Sequence, residues 1–284
     1  MSNLAMMMGL GSGAGGPVWN ALDISSASYD SVSFSVNSQD TAPQGIKFNS
    51  DGTKMYIVGS ANDNVYQYSL STAWDLSTAS YDSINFYVGS QENVPKSLTF
   101  NADGTNMYVN GDASDDIFQY TLSTAWDLST ASYASKSFNF STVDGAFYGF
   151  SFNNDGTKGY LVGSNSDTVY QYSMSTAYDV STLSSDSVTL NVTNEAALPY
   201  DITFSSTGEK LYVIGFGSIG NSVVFQYSLS TAWDLSTASY DNDYLDPDPI
   251  VSDNSVKDAA FKPDGSKMYL LGDQQNTVYQ FTTA

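Results

Sequence analysis

The phrase F-x-x-D-G-x-K-x-Y returns along this chain, with drift at single positions, at Phe48, Phe100, Phe152, Phe204 and Phe261, spaced by 52, 52, 52 and 57 residues. Four residues past each Phe stands Gly52, Gly104, Gly156, Gly208 or Gly265, and eight past stands Tyr56, Tyr108, Tyr160, Tyr212 or Tyr269. A Gly follows at eleven past (59, 111, 163, 215 and 272), then an aromatic-Gln-aromatic phrase centred on Gln67, Gln119, Gln171, Gln226 and Gln280. The stretch LSTAWDLSTASY occurs verbatim at 70–81, 122–133 and 229–240, with a drifted copy at 174–185. A period of this length is one supersecondary unit that must stack on its copies to bury its apolar surface.

Each unit reads as four short strands, exemplified by GIKF, KMYIV, NVYQYSL and SINFYV, which are β-branched or aromatic and bounded by Gly, Asn, Asp or Ser. The Asp-Gly pair between the first two supplies the positive φ of a tight turn. It lacks the successive carboxylates of a calcium loop. Four strands repeated five times predict an all-β fold, a five-bladed β-propeller with four-stranded blades. The expected blades are about 45–88, 97–140, 149–192, 201–250 and 258–282. The fifth copy stops at VYQFTTA, after its third strand, whereas the N-terminal part supplies DISSASYDSVSFSV, which matches DLSTASYDSINFYV of the next unit. Residues 31–36 are therefore expected to complete the last blade and close the ring, which removes the open sheet edges between the two ends. The domain reading is 1–20 as a Gly/Met-rich tail and 21–284 as the propeller.

FNSDGTKMYIV and FKPDGSKMYLL resemble the bacterial surface-layer or YVTN-type propeller repeat, and more loosely the NHL and lactonase-like propellers. The resemblance runs from 21 to 284 and implies the scaffold only. Lactonase-like members imply a metal or a His/Arg-assisted site, and this chain has no such residues: its nine basic residues are all Lys, and it contains no His and no Cys. That composition excludes Cys and Ser-His nucleophiles, imidazole bases and His- or Cys-ligated metals. With 30 acidic residues the net charge is −21, a sign that repels phosphate backbones, so no nucleic-acid partner is expected. No apolar run is long enough for membrane insertion. Only three Glu occur, Glu92, Glu195 and Glu209, which makes a glycoside hydrolase the lowest-ranked function. No catalytic residue, metal site or cofactor is assigned, and the protein is expected not to be an enzyme.

The five copies are nearly constant in the turn after the first strand and in the connection after the third, which share one face of a propeller. They differ on the opposite face, where NSQDTAPQ, GSQENVPK, STVDGAFY, VTNEAALPY and LDPDPIVSDNSVK lead into the first strands. A scaffold that repeats one face and diversifies the other suits binding through loops. At the channel mouth on that face, four residues before each anchoring Phe, stand Gln44, Lys96, Tyr148, Tyr200 and Lys257. Aromatic faces and ammonium groups converging there form the candidate ligand site for a polar or sugar ligand. The repeated Trp74, Trp126 and Trp233, with Tyr178, are expected to pack their connections onto neighbouring blades. The five Gln are expected to be satisfied within their own blades.

Residues 1–17 belong to no blade and combine Leu4, Met6, Met7, Met8 and Leu10 with five Gly. Adaptable Met side chains beside Gly suit docking into a partner. A short apolar tail ahead of a compact propeller, without the basic n-region of a secretory signal, is similar to accessory virion proteins of marine bacteriophages. That resemblance implies a structural or adhesion protein of the virion, held to other virion proteins through the tail, with a host-surface glycan as a further partner. The alternative is a secreted, extracellular glycan-binding propeller.

Overall fold

The computed structural model describes residues 23–217 and 220–283. Twenty strands among them form five four-stranded antiparallel sheets, the blades of a five-bladed β-propeller. Blade 1 runs outward from the axis through Pro43–Phe48, Lys54–Gly59, Asn64–Leu70 and Ala79–Tyr87. The innermost strands of blades 2 to 5 are Pro95–Phe100, Phe147–Phe152, Ala196–Phe204 and Val256–Phe261. Each starts a few residues before the position expected from sequence, because pairing continues across an irregularity described below. The outer strand of blade 5 is Ser28–Ser35, paired with Thr277–Thr282, so the segment from the N-terminal side closes the ring. It is longer than the expected 31–36. The expected fourth blade also ends earlier: its outer strand is Ala238–Leu245, and a short helix, Asp248–Val251, follows.

The repeated Asp-Gly turns have the backbone that their sequence demands. Gly52, Gly104, Gly156, Gly208 and Gly265 all have φ near +70°. In four of these turns the Asp before the Gly accepts from the Thr or Ser two residues on, as Asp51 does from Thr53 N at 2.9 Å, and in blade 4 Thr207 stands in its place. The Cβ that any other residue would add at Gly104 meets the Trp126 ring at 2.2 Å, so this turn is also the seat of the Trp. Tyr56 of blade 1 donates its hydroxyl to the Trp126 carbonyl of blade 2 at 2.6 Å, and Tyr269 of blade 5 reaches the Trp74 carbonyl at 2.5 Å. The Trp therefore fasten connection, turn and neighbouring blade together.

The Gln residues differ from the local role expected of them. Gln67 Nε2 stays in its own blade, donating to Asp82 at 2.8 Å, but its Oε1 accepts from Leu128 N of blade 2 at 2.9 Å. Gln171 and Gln280 do the same with Leu235 N and Leu76 N, and Gln226 with Ile24 N at 3.2 Å. Each amide thus satisfies a 3-10 helix of the next blade, and the last of these bonds ties the closing segment in. Such a bond links two blades because one buried amide carries both a donor and an acceptor. Apolar cores lie between blades; one of them joins Ile46, Met55 and Ile57 of blade 1 to Tyr269, Leu271 and Val278 of blade 5.

On the variable face, Asp40, Glu92, Asp144 and Asp253 are buried carboxylates that cap the turn between the second and third strands. Glu92, for example, accepts from Val94 N, Ala113 N and Ser114 N at 2.8 to 3.2 Å. Blade 4 has Ala196 at the equivalent position, and there the second strand runs two residues further, Lys210–Gly217. No helix among the described residues is long and apolar enough to cross a membrane.

Candidate functional site at the channel mouth

Each innermost strand carries a β-bulge near its start, and the bulge decides what the mouth contains. Pro43 pairs with Gly59 and Gly45 with Val58, so Gln44 is the extra residue of blade 1. The same skip falls between Pro95 and Ser97, Phe147 and Gly149, Pro199 and Asp201, and Val256 and Asp258. The five bulged residues are therefore Gln44, Lys96, Tyr148, Tyr200 and Lys257. A bulge leaves its extra residue unpaired and re-aims the side chain away from the alternation of the strand. Here all five line one cavity of about 210 Å³, together with Leu198, and side chains from five blades meet only at the axis. All five expected residues are thus brought together. Leu198 had no signal in the repeat, because only blade 4 carries an apolar side chain two residues before its bulge that reaches the mouth.

Around the ring the order is Lys96, Tyr148, Tyr200, Lys257, Gln44. The Lys96 ammonium lies 5.1 Å from the centre of the Tyr148 ring, and that of Lys257 lies 4.1 Å from the centre of the Tyr200 ring. The two Tyr rings are 6.4 Å apart and tilted by 33°. Lys257 is paired with Asp273 at 3.2 Å. Lys96 forms no ion pair among the described residues. Burial pulls its ammonium below the ordinary Lys range, the like charge of Lys257 adds to that, and Asp112 partly opposes it. An ammonium held at a cost in hydration, beside a second one, favours an anionic guest. Burial likewise pushes the Tyr148 and Tyr200 hydroxyls up, so both are neutral donors at physiological pH.

Beneath the mouth a buried cluster fills the axis. Lys47 of blade 1 donates to Asp258 of blade 5 at 2.9 and 3.2 Å and lies 3.6 Å from Asp201 Oδ2 of blade 4. The two Asp side chains are 2 % exposed or less, and Ile46 N and Ala259 N bond Asp258 at 2.7 and 2.6 Å. Burial, then the adjacent Asp258 charge, push the Asp201 carboxyl well above the usual range although Lys47 opposes them. For Lys47 burial acts downward, but the two carboxylates outweigh it and hold the ammonium above its ordinary value. The repeat hides this cluster, since its members occupy positions held by Gly45, Ser97 and Gly149, or by Thr99 and Ser151, in other blades. Its effect is to close the channel behind the mouth residues with a charge-balanced plug.

None of the three Glu lines the mouth: Glu92 caps its turn, Glu195 accepts from Tyr227 at 3.0 Å on blade 4, and Glu209 sits in a constant-face turn. Among the described residues no group of three or more acidic side chains is placed to hold a metal ion. Leu4, Met6, Met7, Met8 and Leu10 lie outside the described residues.

Comparison with solved structures places this architecture among β-propellers. The chain is 14 % identical, with a TM-score of 0.51, to a candidate 6-phosphogluconolactonase of Bacteroides uniformis, over 84 % of this chain and 65 % of that one. It is 13 % identical, with a TM-score of 0.50, to a luciferin-regenerating enzyme, over 89 % of this chain and 95 % of the other. It is 9 % identical, with a TM-score of 0.50, to the Cps50 (Swd1) β-propeller domain of Myceliophteria thermophila, over 89 % of this chain and all of that domain. At this identity the likeness is one of fold alone, and these neighbours differ in function. The chain spans between half and two thirds of the length of the first lactonase-like structures that it matches. No protein-family model matches the chain, and no curated protein matches it significantly.

Proposed function

We propose that the protein is a non-enzymatic adhesion protein of a bacteriophage particle, which binds a negatively charged sugar in the channel mouth and attaches to the particle through residues 1–20. The observation that carries the binding reading is the convergence of five bulged residues into one pocket with two Tyr rings, two ammonium groups and one amide. Rings supply stacking surface for a sugar face, ammonium groups answer its charge, and the Gln amide has donors and acceptors for its hydroxyls. At about 210 Å³ the pocket is smaller than the ~300–1,000 Å³ of drug-sized sites, which suits a single sugar residue at the end of a glycan. The plug beneath supports binding over hydrolysis, because Asp201 and Asp258 are both buried against the Lys47 ammonium and neither lines the mouth, so no carboxylate pair faces a bound sugar. The particle reading is supported by the Met- and Gly-rich sequence of the tail.

A screen of immobilised glycans with acidic and neutral termini, repeated with Tyr148→Ala/Tyr200→Ala, tests the site. Retention of acidic termini that the double variant loses is the expected result, and equal retention by both proteins would refute it. Sedimentation with particles tests the attachment. A protein that binds glycans yet never co-sediments would be the secreted glycan-binding propeller instead.

A further inference from the structure

Blade 4 departs from the other four at several equivalent positions, and the departures meet in one place. Where Tyr66, Phe118, Tyr170 and Tyr279 face small polar residues on the outer strand (Asn85, Ser137, Thr189 and Ser33), Phe225 faces Tyr244. Val223 stands where Asn64, Asp116, Thr168 and Thr277 stand elsewhere. Glu195 takes the place of Gln39, Gln91 and Val143, and Ala196 that of the capping carboxylates. A run of drift would scatter polar and apolar exchanges; these exchanges add one aromatic ring, one aliphatic wall and one charge to the same cavity.

That cavity, of about 270 Å³, is lined by Glu195, Gly217, Val223, Phe225, Tyr240 and Tyr244 among others. The Phe225 ring stands 6.3 Å from Tyr240 at 66° and 6.4 Å from Tyr244 at 41°, so aromatic surfaces bound it on more than one side. The Tyr227 hydroxyl donates to Glu195 Oε2 at 3.0 Å and holds the carboxylate in place. No Lys pairs with Glu195 among the described residues. Burial and the nearby Glu195 charge push the Tyr240 hydroxyl up, so the ring is neutral at physiological pH.

We propose that this blade 4 cavity is a cation site of the aromatic-cage type, whose ligand carries a quaternary ammonium group. Ring faces attract a cation through their quadrupole, and the carboxylate adds its charge at the same spot. A hard metal ion would need six or more oxygen ligands, which these walls do not offer. A primary ammonium brings three donors that must all be satisfied, whereas a methylated ammonium presents apolar methyl groups to apolar rings. The site is separate from the channel mouth, and its ligand has the opposite charge.

The full chain titrated calorimetrically with tetramethylammonium chloride, and separately with choline chloride, tests this against ethanolamine and sodium chloride. Saturable binding of the two quaternary ions is expected, at least tenfold tighter than of ethanolamine. Tyr244→Ser, which installs a residue that other blades carry at this place, should weaken it tenfold or more, and Glu195→Gln several-fold. Tyr148→Ala/Tyr200→Ala should leave it unchanged. Absence of saturation, equal binding of ethanolamine, or affinity unaltered in a folded Tyr244→Ser protein would overturn the assignment.

Discussion

Replacing Lys47 by Met tests whether the channel plug is an electrostatic unit. Met keeps the stem length and removes the ammonium that lies 2.9 Å from Asp258 and 3.6 Å from Asp201. Both carboxyl groups then remain buried without a counter-charge, and breaking a buried ion pair in this way costs about 3–5 kcal/mol. For a domain of this size one kcal/mol lowers the melting temperature by about 2 °C, so a fall of about 6 to 10 °C at neutral pH is expected in calorimetry. The pH dependence gives the sign. Asp201 has a folded-state carboxyl raised above its unfolded value, so its contribution is fully present below the ordinary Asp range and is lost as pH rises through the raised value. Without Lys47 only the Ile202 N–H opposes that shift, and the deficit of the variant should narrow as pH falls below neutrality. Lys47 itself is raised, so the native protein keeps this contribution below the ordinary Lys value and loses it only as pH rises beyond that into the raised range. Asp201→Asn gives the control: its Oδ2 has no hydrogen bond to lose, its Oδ1 can still accept from Ile202 N, and Nδ2 can donate to Asp258, so it should cost less than about 1 kcal/mol. A Lys47→Met protein that melts like the native one, or an Asp201→Asn protein as damaged as Lys47→Met, would refute this account.

Gln171→Leu removes the acceptor of Leu235 N and strands a buried donor between blades 3 and 4, which should cost about 1–3 kcal/mol in urea denaturation. Gly104→Ala forces φ of +73° on an L-residue and drives its Cβ into Trp126, so a loss of about 1–3 kcal/mol for the backbone alone is expected, with blue-shifted Trp fluorescence lost as the ring is displaced. Binding of acidic sugars at the mouth should decline as pH rises through the lowered Lys96 value, below the ordinary Lys range of ~10.4, and a flat profile up to that range would contradict the role of Lys96. Tyr148→Ala/Tyr200→Ala should change the melting temperature little, since both rings are only partly buried at the mouth, and scanning calorimetry checks this.

What the amino-acid sequence determined was the repeat and everything that recurs with it. Five Phe, five turn Gly and a C-terminal unit lacking its outer strand specify five blades and a shared closing one, because a repeated local pattern must satisfy the same backbone and the same apolar face each time. The register alone also placed Gln44, Lys96, Tyr148, Tyr200 and Lys257 at one level of the ring. The tertiary structure decided what depends on contacts between different units. That these five residues project into the mouth follows from bulges, which need the partner strand to define the skip. The Gln proved to bind across blades because the 3-10 helix that supplies its donor comes from the neighbour, about sixty residues away for Gln67 and Leu128. Asp201 and Asp258 share one register of the repeat, but Lys47 stands at another and in a different unit, and only closure of the ring brings blades 1, 4 and 5 to one point on the axis. The blade 4 cavity is of the same kind: Glu195, Val223 and Tyr244 look like separate deviations along the chain, and strand pairing makes them neighbours.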